Sequence, residues 1–295
     1  MNLKPNTYAV LFLFFVLSGF CGLLYQIVWL RLAFAAFGVI TPVLSIVLSV
    51  FMFGLAIGSW VSGKWICPIS AALKKSAVWF YAICELLIGI GGILVPWIFT
   101  RGQQLLLPLG ETDSLAYLAL SAVVLGISIL PWCVFMGCTF PCMIAFIRQI
   151  DRSNRTGFSF LYLANVIGAM MGAILTADVL IELLGLRATL WTASLCNVSI
   201  ALVAFILSRS HPYALESRET GVIIPIAADP TPGNSIILPI ILFLTGFASM
   251  AMEVVWTRAF TPVLRTTIYS FAALLAVYLL ATWIGSLLYR SHTVH

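Results

Sequence analysis

Charge is what this sequence has least of. Lys, Arg, Asp and Glu make up 8% of its 295 residues, against roughly a quarter of an ordinary soluble domain, so a soluble fold of this size could not cover its surface. Histidine is also scarce. The seven cysteines (Cys21, Cys67, Cys84, Cys133, Cys138, Cys142 and Cys196) fall mostly inside apolar runs, form no CxxC pair and have no histidine nearby. That pattern gives small buried thiols and no zinc site. The clustered glycines Gly89, Gly91 and Gly92 follow no strand and precede no suitably spaced acid, which excludes a nucleotide-binding loop. No catalytic residue, metal or cofactor is expected. The net charge of +5 arises from cations scattered between apolar runs without a basic stripe, so no nucleic-acid partner is expected either.

Apolar residues are what the sequence has instead, at 62%. Runs of about 20 residues, each long enough to cross roughly 30 Å of hydrocarbon, make the lipid bilayer the expected solvent. The first run continues to Leu30, past the length of a signal peptide's apolar region and with no A-x-A-like site, so it reads as a first helix. Eight spans are read, at Tyr8–Leu30, Val43–Val61, Ala77–Phe99, Leu115–Ile147, Phe158–Leu184, Ala188–Leu207, Ile236–Trp256 and Tyr269–Tyr289. Pro131 and Pro141 are expected to kink or break the long fourth run. The cations Lys4, Lys64, Lys74, Lys75, Arg148, Arg152, Arg155, Arg209, Arg218 and Arg290 lie at the termini and on even-numbered loops, and fewer lie on odd ones. The positive-inside rule then puts both termini in the cytoplasm, and the expected location is the cell (inner) membrane. Residues 208–235, rich in polar and turn-forming types, read as a cytoplasmic linker between a six-helix half (1–207) and a two-helix segment (236–295).

An internal repeat carries the most information. Ser18 to Ser59 aligns without a gap on Thr245 to Ser286. Gly19-Phe20 matches Gly246-Phe247, Val28-Trp29-x-Arg31 matches Val255-Trp256-x-Arg258, and Ile57-Gly58-Ser59 matches Ile284-Gly285-Ser286. An even number of spans separates the copies, so they form a parallel repeat, like the two halves of major-facilitator transporters. The expected fold class is therefore an all-α membrane protein of about eight transmembrane helices, major-facilitator-like, with its second half truncated after two helices.

Four stretches together resemble the fused major-facilitator/spermidine-synthase family, whose members join a helical membrane portion to a C-terminal aminopropyltransferase-like domain. They are Ser18-Gly19-Phe20 with Tyr25-Gln26-Ile27-Val28-Trp29-Leu30-Arg31, Phe53-Gly54-Leu55-Ala56-Ile57-Gly58-Ser59, Met136-Gly137-Cys138-Thr139-Phe140-Pro141, and Tyr162-Leu163-Ala164-Asn165-Val166-Ile167-Gly168-Ala169. The resemblance covers the membrane portion only. The family usually carries Tyr-Glu before this tryptophan; here the first copy has Tyr25-Gln26 and the second Met252-Glu253. No counterpart of the synthase domain is present, so synthase activity is not expected of this chain.

Candidate binding residues follow from polar groups placed in hydrocarbon. Glu85 lies roughly 12 Å into the third helix at 1.5 Å per residue, where a lone carboxylate is costly. It reads either as a cation or proton site or as a carboxyl hydrogen-bonded to a neighbouring helix. Gln26 and Trp29 share a helix face with Tyr25, and Glu253 and Trp256 repeat that spacing. Facing copies would form an aromatic, acidic pocket for an amine; the alternative is an interfacial aromatic belt. Asp178 and Glu182 with Arg187 read as an interfacial ion pair. Gly168 with Gly172, and Gly54 with Gly58, read as packing faces, with Asn165 bonding across one of them. Three functions stay open. They are transport or channelling of a small cationic, polyamine-like solute, anchoring or assembly of a separately encoded partner such as a spermidine-synthase-like domain, and an enzyme completed by another chain. A homodimer or a second membrane subunit is the expected partner of the two-helix segment.

Overall fold

The computed structural model describes residues 5–38, 41–106, 114–150, 157–210 and 236–293. Every element within them is helical: α1 (Pro5–Phe37), α2 (Thr41–Leu73), α3 (Ala77–Leu106), α4 (Ser114–Ile150), α5 (Gly157–Leu175), α6 (Ile181–Ser210), α7 (Ile237–Leu264) and α8 (Thr267–Thr293), with one π-helical turn at Thr176–Leu180. Most of the linker, residues 211–235, lies outside the described residues, as do Lys4, Arg152, Arg155 and Arg218.

The helices overrun the apolar spans at most ends, because hydropathy marks the hydrocarbon and the backbone ladder continues past it. α4 runs through Pro131 and Pro141 as one helix, so of the expected kink or break the break does not occur. Both prolines lie inside a helix held on both sides, by α2 and α3, and neighbouring helices make such positions tolerable in membranes.

Seven stretches are long and apolar enough to cross a membrane, and the fifth, Ser159–Ser210, spans 52 residues. The apolar runs at Phe158–Leu184 and Ala188–Leu207 thus join without an intervening coil, which is where this count departs from eight. Within the joined stretch Gly185 has φ 74° and ψ 170°, a backbone conformation that glycine adopts at little cost. The packing on either side of it differs in direction. One core holds Leu11, Phe14 and Phe15 with Val78, Phe146, Leu161 and Ala164; the other holds Tyr25, Trp29, Leu44, Phe99, Leu125, Ala173 and Ala177. α5 runs from the Leu11 core to the Tyr25 core. α6 begins in the Tyr25 core with Leu190 and Ala193 and ends in the Leu11 core with Ile200 and Ala204.

α1 is the hub of the bundle. It packs on α5, α6 and α3, while α2 packs on α4 and α3 bridges α4 and α6. The pairings rest on glycine. A Cβ on Gly54 or Gly58 of α2 would collide with α4 at Cys133 and Val134, and one on Gly168 or Gly172 of α5 would collide with the α1 backbone at Val16 and Phe20. Such close backbone approach is how membrane helices gain packing contacts where apolar burial gives no drive. The remaining two helices are held differently. α8 docks on α5, whereas α7 packs on α8 and only lightly on α2, and Thr257 is its one buried residue.

Candidate functional site

The three clustered glycines of α3, Gly89, Gly91 and Gly92, open three sides of that helix. Gly89 makes room for Ser194 of α6, Gly91 for the Trp132 indole of α4, and Gly92 for the Tyr25 ring of α1. Their clearance brings α1 and α6 onto the helix that carries Glu85, and a buried polar network results. The Ser18 hydroxyl donates to Glu85 Oε1 at 2.7 Å. The Asn197 amide donates to Glu85 Oε2 at 2.6 Å, and the Tyr25 hydroxyl donates to Asn197 Oδ1 at 3.0 Å. One turn away Ser194 donates to the Gly89 carbonyl at 2.7 Å. Glu85 is fully buried, as are Tyr25 and Asn197 to within 1%, and the Trp29 ring stacks on Tyr25 at 5.1 Å.

Of the two alternatives for Glu85, the hydrogen bond to a neighbouring helix is therefore present, made twice, to α1 and α6. Tyr25 joins Glu85 through Asn197. Neither Ser18 nor Asn197 is among the candidate binding residues that the sequence offers, although an asparagine in the middle of an apolar run is signal enough to find one of them. Asn165 stands apart from the network. Its carbonyl and side-chain oxygen crowd Gly19 of α1, so it belongs to the α1–α5 contact as a close neighbour without a hydrogen bond across it. Glu182 accepts a hydrogen bond from the Tyr269 hydroxyl at 2.6 Å and forms no ion pair with Arg187 among the described residues; Gly185 turns the chain between them. The cysteines are all free, and Cys67 is exposed where burial was expected.

The two copies of the Trp motif do not face each other across a pocket. Tyr25, Gln26 and Trp29 lie inside the six-helix bundle, at 0–1% exposure, while Trp256 is 44% exposed and its ring lies 5.7 Å from that of Phe260 on its own helix, tilted by 32°. The reason is the docking of α8 on α5, which carries α7 to the bundle's edge. An apolar groove of about 680 Å³ separates α7 from α2, lined by Leu48, Val50, Phe53, Phe247, Met250 and Val254 among others. Three polar atoms of the paired motif are nonetheless buried without hydrogen-bond partners among the described residues: Gln26 Nε2, Trp29 Nε1 and Glu253 Oε1.

The repeated glycines differ just as sharply. Gly19 and Gly58 are occupied, by Asn165 of α5 and by Val134 and Gly137 of α4; Gly246 and Gly285 have nothing among the described residues within 4 Å of where a Cβ would lie. No protein-family model, curated protein or solved structure matches the chain.

Proposed function

We propose that this chain is a non-catalytic membrane assembly subunit: a self-contained six-helix bundle that presents α7 and α8 to a separately encoded partner. The observation that carries this reading is the pair of open glycines, Gly246 and Gly285, beside their occupied equivalents, Gly19 and Gly58. The enclosed Glu85 network supports it too, since a carboxylate fixed by two hydrogen bonds in a packed core is not exposed to a passing solute. In this reading the chain crosses the cell membrane eight times, with Gly185 turning the fifth crossing into the sixth. Both termini are cytoplasmic, as the distribution of cations favours. The likeness to the fused major-facilitator/spermidine-synthase family gives the partner a character, a further helical half or a synthase-like domain. Extraction in mild detergent tests this. A complex with a second membrane protein is expected, and a monomer of full thermal stability would count against it.

A second reading, transport or channelling of a small cationic solute, is favoured by the unpartnered polar atoms of Gln26, Trp29 and Glu253. Unsatisfied buried groups are uncommon and call for a ligand or water. If Glu253 binds a polyamine, Glu253→Gln lowers its affinity more than tenfold, about 1.4 kcal/mol. The thermal shift induced by spermidine measures it. Absence of any shift in the wild-type protein removes this reading.

A further inference from the structure

We propose that the cavity between the π-helical turn, the end of α7 and the start of α8 binds a small amphiphilic ammonium ion, with its charged nitrogen on Asp178 and Tyr269. The cavity, of about 330 Å³, is lined by Ile174, Asp178, Leu264, Tyr269, Ala272 and Ala273. Gln26, Trp29 and Glu253 are not part of it, and it stands independently of the assembly reading.

Sequence spacing builds the site. Ile174, Asp178 and Glu182 recur every fourth residue where α5 passes through the π turn into α6, so they follow one another along one side of the chain. Tyr269, Ala272 and Ala273 share a face of α8 by the same rule, and α8 docks on α5. The two alanines leave open the space that larger side chains would fill, and Leu264 closes it from α7. Asp178 is carried by the π turn itself, Thr176–Leu180. Such turns are rare in helices and gather at functional sites.

The lining selects the charge of the ligand. Asp178 is exposed and forms no ion pair among the described residues. The Tyr269 hydroxyl donates to Glu182 Oε1 at 2.6 Å, which holds the ring as part of the cavity wall. A carboxylate beside an aromatic ring attracts a cation, whereas an anion would meet both Asp178 and Glu182. Ile174, Leu264 and the alanines accept a short apolar body, and an apolar recess with a few fixed polar groups is the common form of a small-molecule site. Arg31 lies close enough to act on Tyr269, but neither it nor Arg265, which follows Leu264 in the chain, lines the cavity. A free amine and the ethanolamine headgroup of a lipid share the ammonium chemistry.

The test follows thermal unfolding of the purified full chain in maltoside detergent with hexylammonium, and with hexanol as a probe of equal length and no charge. A saturable upward shift is expected with hexylammonium alone. Its apparent affinity should fall more than tenfold in Asp178→Asn and in Ala273→Leu, which fills the cavity. Both positions are exposed, so unfolding without ligand should not change. Glu253→Gln should leave the affinity as it is, which separates this site from the cationic-solute reading. Lysophosphatidylethanolamine distinguishes the sources: an Asp178-dependent shift assigns the site to a lipid headgroup, and no shift assigns it to a free amine. Equal shifts with hexanol overturn the proposal, as does an affinity indifferent to Asp178→Asn and Ala273→Leu. A hexylammonium shift that appears only after Arg265→Gln assigns the cavity to the chain's own arginine and overturns it too.

Discussion

The two copies of one motif, α1–α2 and α7–α8, share Gly-Phe, Val-Trp-x-Arg and Ile-Gly-Ser and yet live in opposite surroundings. Trp29 is fully buried and Trp256 is 44% exposed; Val28 is fully buried and Val255 is 57% exposed. Their own sequences are too alike to account for this. What differs is the neighbour. α5 and α4 are present for the first copy, and no helix within the described residues takes their place for the second. In hydrocarbon, where lipid is as apolar as leucine, burial follows from a fitting backbone surface and hydropathy alone does not secure it. A motif built for close approach therefore does not by itself secure burial.

Paired substitutions sharpen that contrast. The largest difference is expected at the second glycine of the repeat. Gly58→Leu drives a side chain into the α4 backbone and should prevent accumulation of folded protein, or cost about 3 kcal/mol or more. Gly285→Leu in the purified chain should stay within about 0.5 kcal/mol. Thermal unfolding in detergent reads both, and equal effects at the two sites would erase the contrast. The tryptophans come next. Trp29→Ala leaves a cavity beneath Tyr25 and should cost about 3–5 kcal/mol, whereas Trp256→Ala should be nearly neutral until a partner is present. The smallest pair compares the polar groups. Asn197→Leu strips a donor from Glu85 and an acceptor from Tyr25, for about 1–3 kcal/mol; Glu253→Gln, which removes no hydrogen bond made by that carboxylate, should leave stability unchanged. A Glu253→Gln penalty as large as that of Asn197→Leu would mean the acid already has a partner.

Much of the architecture was legible because the bilayer restricts the choices. Apolar runs located the helices to within a turn or two at many ends, and the glycine faces Gly54/Gly58 and Gly168/Gly172 were legible as packing surfaces because close approach in membranes requires small residues at that spacing. α5 and α6 read as separate runs, yet the structure joins them without a coil, with Gly185 in the gap between them. The intramembrane position of Glu85 was also legible, but its partners were not. Ser18 and Asn197 reach it from helices distant in sequence, and which faces meet is decided by Gly89 and Gly92, whose meaning depends on what lies opposite. Of the two readings of the repeated tryptophans, a facing pocket or an interfacial belt, the facing arrangement is absent among the described residues for a related reason. Repeat symmetry fixes how each copy is built, while the position of α7 is set by the docking of α8 on α5.

The most direct measurement is the mass of the particle excised from its own membrane in polymer nanodiscs, for the wild-type chain and for Gly246→Leu, Gly285→Leu and two controls. The controls are Gly22→Leu and Gly63→Leu, which also have nothing among the described residues within 4 Å but lie in or beside the first copy. The account predicts protein mass beyond a single 32.2 kDa chain in the wild type and in both controls, and its loss in the two second-copy variants. A single chain in every sample, or a complex indifferent to Gly246 and Gly285, would contradict it.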